Sequence, residues 1–146
     1  GCLTGASHSG AELHGFLSYL MKCASAGKKY TIYGYKGKQV RDQIHSRDVV
    51  RAFEAYRQSP RPGVVYNLGG GKDNSISLLE AIEFAENIFD RDMNYEYSGE
   101  ARSGDHIVYY SDLSKFNDHY PGWSIEYELE DILREIACSL ETEASP

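Results

Sequence analysis

Two segments of the 146-residue chain place an arginine beside groups that could recognise phosphate and hydroxyl oxygens. In the first, Arg41 lies within the predicted strand Gln39–Ile44 and is followed by Asp42 and Gln43. In the second, Arg102 comes three residues before Asp105, with a glycine between them. A guanidinium binds phosphate through paired hydrogen bonds, and a carboxylate accepts hydrogen bonds from sugar hydroxyls. The spacing is compatible with such a site, but it is also typical of ion pairs in a solvated strand and loop.

A glycine triplet is the third segment with possible chemistry. Gly69, Gly70 and Gly71 follow the apolar run Val64–Leu68, as in a turn that binds a dinucleotide diphosphate. However, Asn74 stands where that pattern has its third glycine, and no strand ending in an acidic residue follows at the expected distance. The pattern therefore favours a plain strand-to-helix turn that needs positive φ.

Several common active sites are missing from the sequence. The five histidines form no ligand pair at helical spacing, and the cysteines at positions 2, 23 and 138 are widely separated, so we expect no metal site. Neither G-x-S-x-G nor Tyr-x-x-x-Lys occurs, so no catalytic residue is assigned. The few, unclustered cysteines are typical of a reduced, cytoplasmic protein.

Composition narrows the class of protein further. Fifteen basic against 22 acidic residues give a net charge of −7, which argues against binding to nucleic acid or to an anionic membrane. Hydrophobic residues make up 41% of the chain, as in a folded domain, and no apolar run approaches the roughly 20 residues of a membrane span. We expect one domain over residues 1–140 and a flexible tail over residues 141–146.

Helical and strand patterns alternate along the chain. The spacing of apolar residues predicts three long helices: Ala11–Ala26, one that starts at an N-cap Ser46, and one from Leu129. A further helix begins after Ser75 or Ser77. Predicted strands are Lys29–Tyr35 paired with Gln39–Ile44, the buried run Val64–Leu68, and Met93–Tyr97. This alternation predicts the α/β class.

The order of these motifs resembles the C-terminal half of the extended short-chain dehydrogenase/reductases, the NAD-dependent sugar epimerase/dehydratase family. The segments that carry the likeness are Val40–Val49, Val65–Gly71 with Ser75–Glu80, and Arg102–Asp105. Further segments are similar to the CDP-sugar 2-epimerase branch of that family: Gly1–Gly5, His8–Gly10, Glu12–Leu17, Gly34–Gln39 and Gly104–His106.

The resemblance implies a fold and a function. The chain would be the C-terminal portion of a Rossmann-type enzyme, starting after the catalytic helix at the end of the sixth sheet strand. The glycine-rich NAD turn and the Tyr-x-x-x-Lys pair would belong to an N-terminal half. The parent enzyme would use NAD to oxidise a nucleotide sugar transiently, with CDP-sugars favoured, whereas the chain alone would bind NAD weakly and be inactive.

The resemblance also implies roles for individual residues. Arg41 and Arg102 would hold the nucleotide diphosphate, and Asp105 a ribose hydroxyl. The other implied contacts are Gln43 beside Arg41, Cys2 near the sugar, Glu12 and His14 toward the base or ribose, and Gly1 and Leu3 beside the nicotinamide. An alternative is a noncatalytic module that binds a nucleotide sugar or another protein.

The implied missing half leads to an expectation about exposed surfaces. Without it, the Val64–Leu68 strand and the helices that start near Ala11 and Ile76 should expose apolar faces. Such faces would pair with the missing half or drive self-association.

Overall fold

The computed structural model describes residues 1–7, 15–99, 101 and 103–144. Within them lie strands β1 (Cys2–Thr4), β2 (Tyr30–Tyr33), β3 (Val40–His45), β4 (Ser75–Ser77), β5 (Tyr95–Ser98) and β6 (Val108–Tyr109). The helices are α1 (Phe16–Ala26), α2 (Ser46–Gln58), α3 (Leu78–Phe89), α4 (Ser114–His119) and α5 (Leu129–Ala144). The predicted α/β class is confirmed.

Strand β3 is the centre of the main sheet. It pairs in parallel with β1 near its end, where Leu3 lies opposite Ile44, and with β6 at its start. Strand β4 pairs with β3 antiparallel. The predicted pairing of the Lys29–Tyr35 and Gln39–Ile44 runs is wrong, because β2 pairs in parallel with β5 instead. The positive φ of Gly34, 65°, and the 3₁₀ turn that follows it direct the chain away from β2.

The larger hydrophobic core lies between helices α1, α3 and α5. Its fully buried side chains include Leu17, Leu20, Met21, Ile32, Ile132 and Leu133. The apolar faces of α1 and α3 are thus covered within this chain. The prediction that these two helices would expose apolar faces is therefore wrong, since their apolar stripes pack against each other and against α5.

A second core lies under α2 and α4. Ile44 and Ala52 pack there with Phe116, Tyr120 and Trp123. The adjacent Asp48 carboxylate is fully buried and accepts hydrogen bonds from the backbone nitrogens of residues 126 and 127, at 3.2 and 3.1 Å. This carboxylate fastens α2 to the segment that leads into α5.

Helix boundaries depend on their caps. The N-cap of α2 is His45, whose ring accepts a hydrogen bond from the Arg47 nitrogen at 3.2 Å, so the predicted Ser46 cap is off by one residue. Ser77 caps α3 in a capping box with Glu80, which confirms the second predicted alternative. Helix α5 continues to Ala144, so residues 141–144 are helical where composition suggested a tail.

The Val64–Leu68 run is not a strand in the structure. Val65 is 80% exposed, whereas Tyr66 and Leu68 pack against the second core. Among the described residues, no strand pairs along this run, and a strand needs such a partner to form. The predicted buried strand is therefore wrong for this chain. No described helix has the length and apolar character needed to span a membrane.

Candidate functional site

Arg41 and Asp105 meet although 64 residues separate them. Arg41 lies at the start of β3, and the pairing of β6 with that part of β3 brings the Asp105 loop alongside it. Nη2 of Arg41 donates to Asp105 Oδ1 and to the His106 carbonyl oxygen, the latter at 2.6 Å. The two side chains are 17% and 20% exposed. The sheet therefore holds a partly accessible cation next to a carboxylate.

A cavity of about 110 Å³ opens beside this ion pair. Its walls are Phe16, Tyr30, Thr31, Tyr33, Gln39 and Leu78, together with Arg41 and Asp105. Gln39 Nε2 donates to the Tyr33 carbonyl oxygen at 3.0 Å and so fixes that wall. Ligand pockets of roughly 300 Å³ or more hold whole drug-sized molecules, so this cavity has room for one flat ring or one anionic group. Aromatic walls beside a guanidinium suit both.

The glycine triplet packs tightly against β3. A Cβ on Gly69 would overlap Ser111 Oγ and Asp42 Oδ2, and one on Gly70 would overlap the Gln43 carbonyl oxygen. The Gly71 nitrogen, at a residue with φ 69°, donates to Asp42 Oδ2 at 3.2 Å. The predicted turn with positive φ is confirmed, although strand β4 follows it before the helix. Because a buried carboxylate uses this amide, the triplet does not fit a phosphate.

Cys2 and Gln43 lie opposite each other on β1 and β3. Gln43 is fully buried, and its Nε2 is 3.3 Å from the Arg41 carbonyl oxygen. Burial raises the pKa of the half-buried Cys2 thiol, so the thiol stays protonated at neutral pH. Neither side chain is among the described residues that line the cavity beside Arg41.

The residues predicted to lie beside a nicotinamide are at the start of β1. Leu3 is 48% exposed, whereas a Cβ on Gly1 would meet the Asp42 carboxylate and Gly69. Leu3 thus offers an apolar surface, whereas the Gly71 amide, a group of the kind that binds a dinucleotide diphosphate, already donates to Asp42.

Three predicted residues, Glu12, His14 and Arg102, lie outside the described residues. Conversely, Thr31 and Gln39 line the cavity beside Arg41, but neither was assigned a role from sequence. The only feature of the sequence that could have indicated Thr31 and Gln39 was the short strand pattern Tyr30–Tyr33, which comes just before the Gln39–His45 segment. That pattern predicts a strand without indicating which face meets a cavity.

Comparisons with known proteins agree on one family. Residues 2–69 match the NAD dependent epimerase/dehydratase family. A curated relative, CDP-paratose 2-epimerase of Salmonella typhi, is 32% identical over 106 residues, which cover 71% of this chain and 30% of the relative.

Solved structures show the same fold. MoeE5 in complex with UDP-glucose and NAD is 25% identical with a TM-score of 0.83, over 99% of this chain and 46% of that one. UDP-glucuronic acid 4-epimerase from Bacillus cereus, in complex with UDP-glucuronic acid and NAD, is 23% identical with a TM-score of 0.80, over 97% and 43%. At that identity the likeness shows the fold alone. The chain spans less than half the length of these relatives.

Proposed function

We propose that this chain, which belongs to the NAD-dependent epimerase/dehydratase family, is the part of a nucleotide-sugar epimerase that holds the nucleotide diphosphate. One observation carries the proposal: the Arg41 guanidinium lies at an aromatic-walled cavity, next to the Asp105 carboxylate. A cation, a carboxylate and aromatic rings are the groups that recognise a diphosphate, a ribose and a base, respectively.

In this proposal the base, the ribose and the diphosphate of the nucleotide each have a binding partner in this chain. The base fills the cavity between Phe16 and Tyr33, which has room for one flat ring. The ribose and diphosphate lie at its mouth, where the ribose hydroxyls bind Asp105 and the diphosphate binds Arg41. The sugar then extends toward β1, where Cys2 lies. Gln43 is fully buried and lies opposite Cys2 in this strand pair.

Arg41 acts as an anchor in this arrangement. A charge-assisted bond to the diphosphate has the same strength whichever face of the sugar is presented, so it stabilises the bound state and the transition state alike. An epimerase needs such an anchor because the sugar must be presented in two orientations while the nucleotide stays in place. NAD supplies redox chemistry in this family. The described residues of this chain contribute binding and orientation.

We infer a preference for CDP over UDP. The curated relative at 32% identity is named for a CDP-sugar, and the likeness covers 71% of this chain. The two solved structures named above are complexes with UDP-sugars, and they share the fold at 25% and 23% identity. The fold thus suits either nucleotide, and the sequence likeness favours CDP.

The partner proposed for this chain is an NAD-binding unit. Among the described strands, β1 pairs only with β3, so its outer edge is open. Leu3 is 48% exposed on β1, and the run Ile107–Tyr110 exposes four large side chains to 48–55%. An open edge flanked by apolar side chains is typical of a surface that pairs with another unit. Self-association is the alternative use of this edge.

Titration calorimetry with CDP and UDP tests the proposed binding. The unmodified chain should bind both, with CDP bound more tightly. Arg41→Gln should lose at least about tenfold in affinity, the factor for a charged hydrogen bond of about 1.5 kcal/mol. Arg57→Gln removes an exposed arginine that pairs with Glu54 and serves as the control, with unchanged affinity. Equal affinities for all three proteins would refute the role of Arg41.

A further inference from the structure

Arg41, the proposed diphosphate ligand, already has anionic and polar partners in the ligand-free structure. Its guanidinium donates to the Asp105 carboxylate, to the His106 carbonyl at 2.6 Å and to the Val40 carbonyl at 2.6 Å. Both N–H groups of Nη2 are used by Asp105 and His106, so a diphosphate that binds at Nη2 must take the place of the Asp105 carboxylate. Because both competitors are anions, the exchange itself brings little gain in charge pairing.

Asp105 is held near Arg41 by more than this ion pair. Its carbonyl oxygen accepts a hydrogen bond from the Tyr35 hydroxyl at 3.1 Å, and its carboxylate accepts one from the His106 nitrogen at 3.0 Å. The Val40 nitrogen donates to the Ile107 carbonyl at 2.7 Å and fixes the end of the loop on β3. Asp105 is therefore a built-in counter-ion whose position does not depend on Arg41 alone.

We infer that Asp105 is a specificity determinant that makes Arg41 reject bare phosphate and diphosphate in favour of nucleoside diphosphates. This inference rests on the proposed function. An inorganic anion that displaces Asp105 leaves that half-buried carboxylate without its cation. A nucleoside diphosphate displaces it as well, but the ribose offers two hydroxyls to the released carboxylate. Only a ligand that carries both a diphosphate and ribose hydroxyls gives a new partner to Arg41 and to Asp105.

The test compares inorganic diphosphate, CDP and cytidine by calorimetry on the unmodified chain, Asp105→Asn and Asp105→Glu. Asp105→Asn removes the competing charge with little change of shape. We expect it to bind inorganic diphosphate about fivefold more tightly, the factor that corresponds to about 1 kcal/mol for a partly exposed ion pair. Its preference for CDP over inorganic diphosphate should fall by at least the same factor. Asp105→Glu keeps the charge and should bind inorganic diphosphate less tightly than Asp105→Asn does.

Two controls keep the outcomes separate. Tyr35→Phe loosens the same loop without changing its charge and should leave the affinity for inorganic diphosphate unchanged. Thermal unfolding of each variant checks that it is folded. If Asp105→Asn binds inorganic diphosphate no more tightly than the unmodified chain, or not at all, the inference is overturned even where CDP binds. If the unmodified chain binds no nucleotide, the proposed function itself fails.

Discussion

The Asp42 carboxylate accepts a hydrogen bond from the backbone nitrogen of Ser111 at 3.0 Å, across 69 residues of sequence. The same oxygen accepts another from Gly71 at 3.2 Å. Strand β3, the glycine triplet and the segment after β6 are thereby joined at one fully buried side chain. Because Arg41 precedes this carboxylate on the same strand, the junction also fixes the strand that carries the candidate site.

Replacing Asp42 should destabilise this junction. Asp42→Asn keeps the volume, but it replaces a charged acceptor by a neutral one and so weakens both hydrogen bonds that Oδ2 accepts. We expect a loss of about 2 kcal/mol in the free energy of unfolding, measured by urea denaturation. Asp112→Asn alters an exposed carboxylate in the neighbouring segment and should cost much less. Equal losses would show that the buried hydrogen bonds of Asp42 are not what holds the loops.

The capping box of α3 makes part of the stability pH-dependent. Hydrogen bonds from Ser77 lower the pKa of Glu80 from its ordinary 4.5, so the native state binds this proton less readily than the unfolded chain. The resulting stabilisation is complete above the ordinary pKa and is lost as pH falls through the lowered one.

Ser77→Ala should therefore cost about 1 kcal/mol at pH 7 and noticeably less in acid. Glu80→Gln should keep the hydroxyl cap while removing this pH dependence. Denaturation curves between pH 3 and pH 7 measure both effects. A Ser77→Ala loss that is constant over this range would contradict the coupling to Glu80.

The cysteines should differ in reactivity. Cys138 is exposed on α5, Cys23 is buried, and Cys2 is half-buried with a pKa raised by that burial. Alkylation requires the thiolate, so Cys138 should react with iodoacetamide first at pH 7.5, and Cys2 should gain rate only at higher pH. Peptide mapping over time measures each rate. Faster labelling of Cys2 than of Cys138 would mean that its site is more open or more electropositive than the structure shows.

The 146-residue chain by itself should show no epimerase turnover. Its sequence lacks the Tyr-x-x-x-Lys pair, which the resemblance assigns to an N-terminal half together with the glycine-rich NAD turn. The assay incubates the chain with NAD and a CDP-sugar and follows product by chromatography, with the Salmonella typhi relative as the positive control. Product formation by the purified chain would show that the chain does more than bind and orient the nucleotide sugar.

Local features were predictable from the sequence, and contacts between distant segments were not. The Ser77 cap lies within four residues of its partner Glu80, so spacing alone identifies it. The strand pairing of β2 depends on β5, more than 60 residues away, and no local pattern encodes that choice. Val64–Leu68 has the composition of a strand but has no strand partner in the part of the chain that the structure describes. Pairing, rather than propensity, decided its conformation.

The candidate site shows the same division. The resemblance identified Arg41 and Asp105 as residue types suited to a nucleotide sugar, and the likeness needs only the sequence. That the two side chains pair with each other, beside a cavity walled by Tyr33, follows from how β6 and the loop before it lie on β3. The sequence did not indicate the His45 cap, because a ring nitrogen accepts the hydrogen bond and not the hydroxyl of a usual N-cap residue.

A crystal structure of this chain with bound CDP-glucose is the decisive test of the proposed nucleotide site. We expect diphosphate oxygens within hydrogen-bond distance of the Arg41 guanidinium, the base between Phe16 and Tyr33, and the Asp105 carboxylate moved from Arg41 to the ribose hydroxyls. A nucleotide bound elsewhere, or one bound with the Arg41–Asp105 pair intact and no phosphate on Arg41, would contradict the proposal.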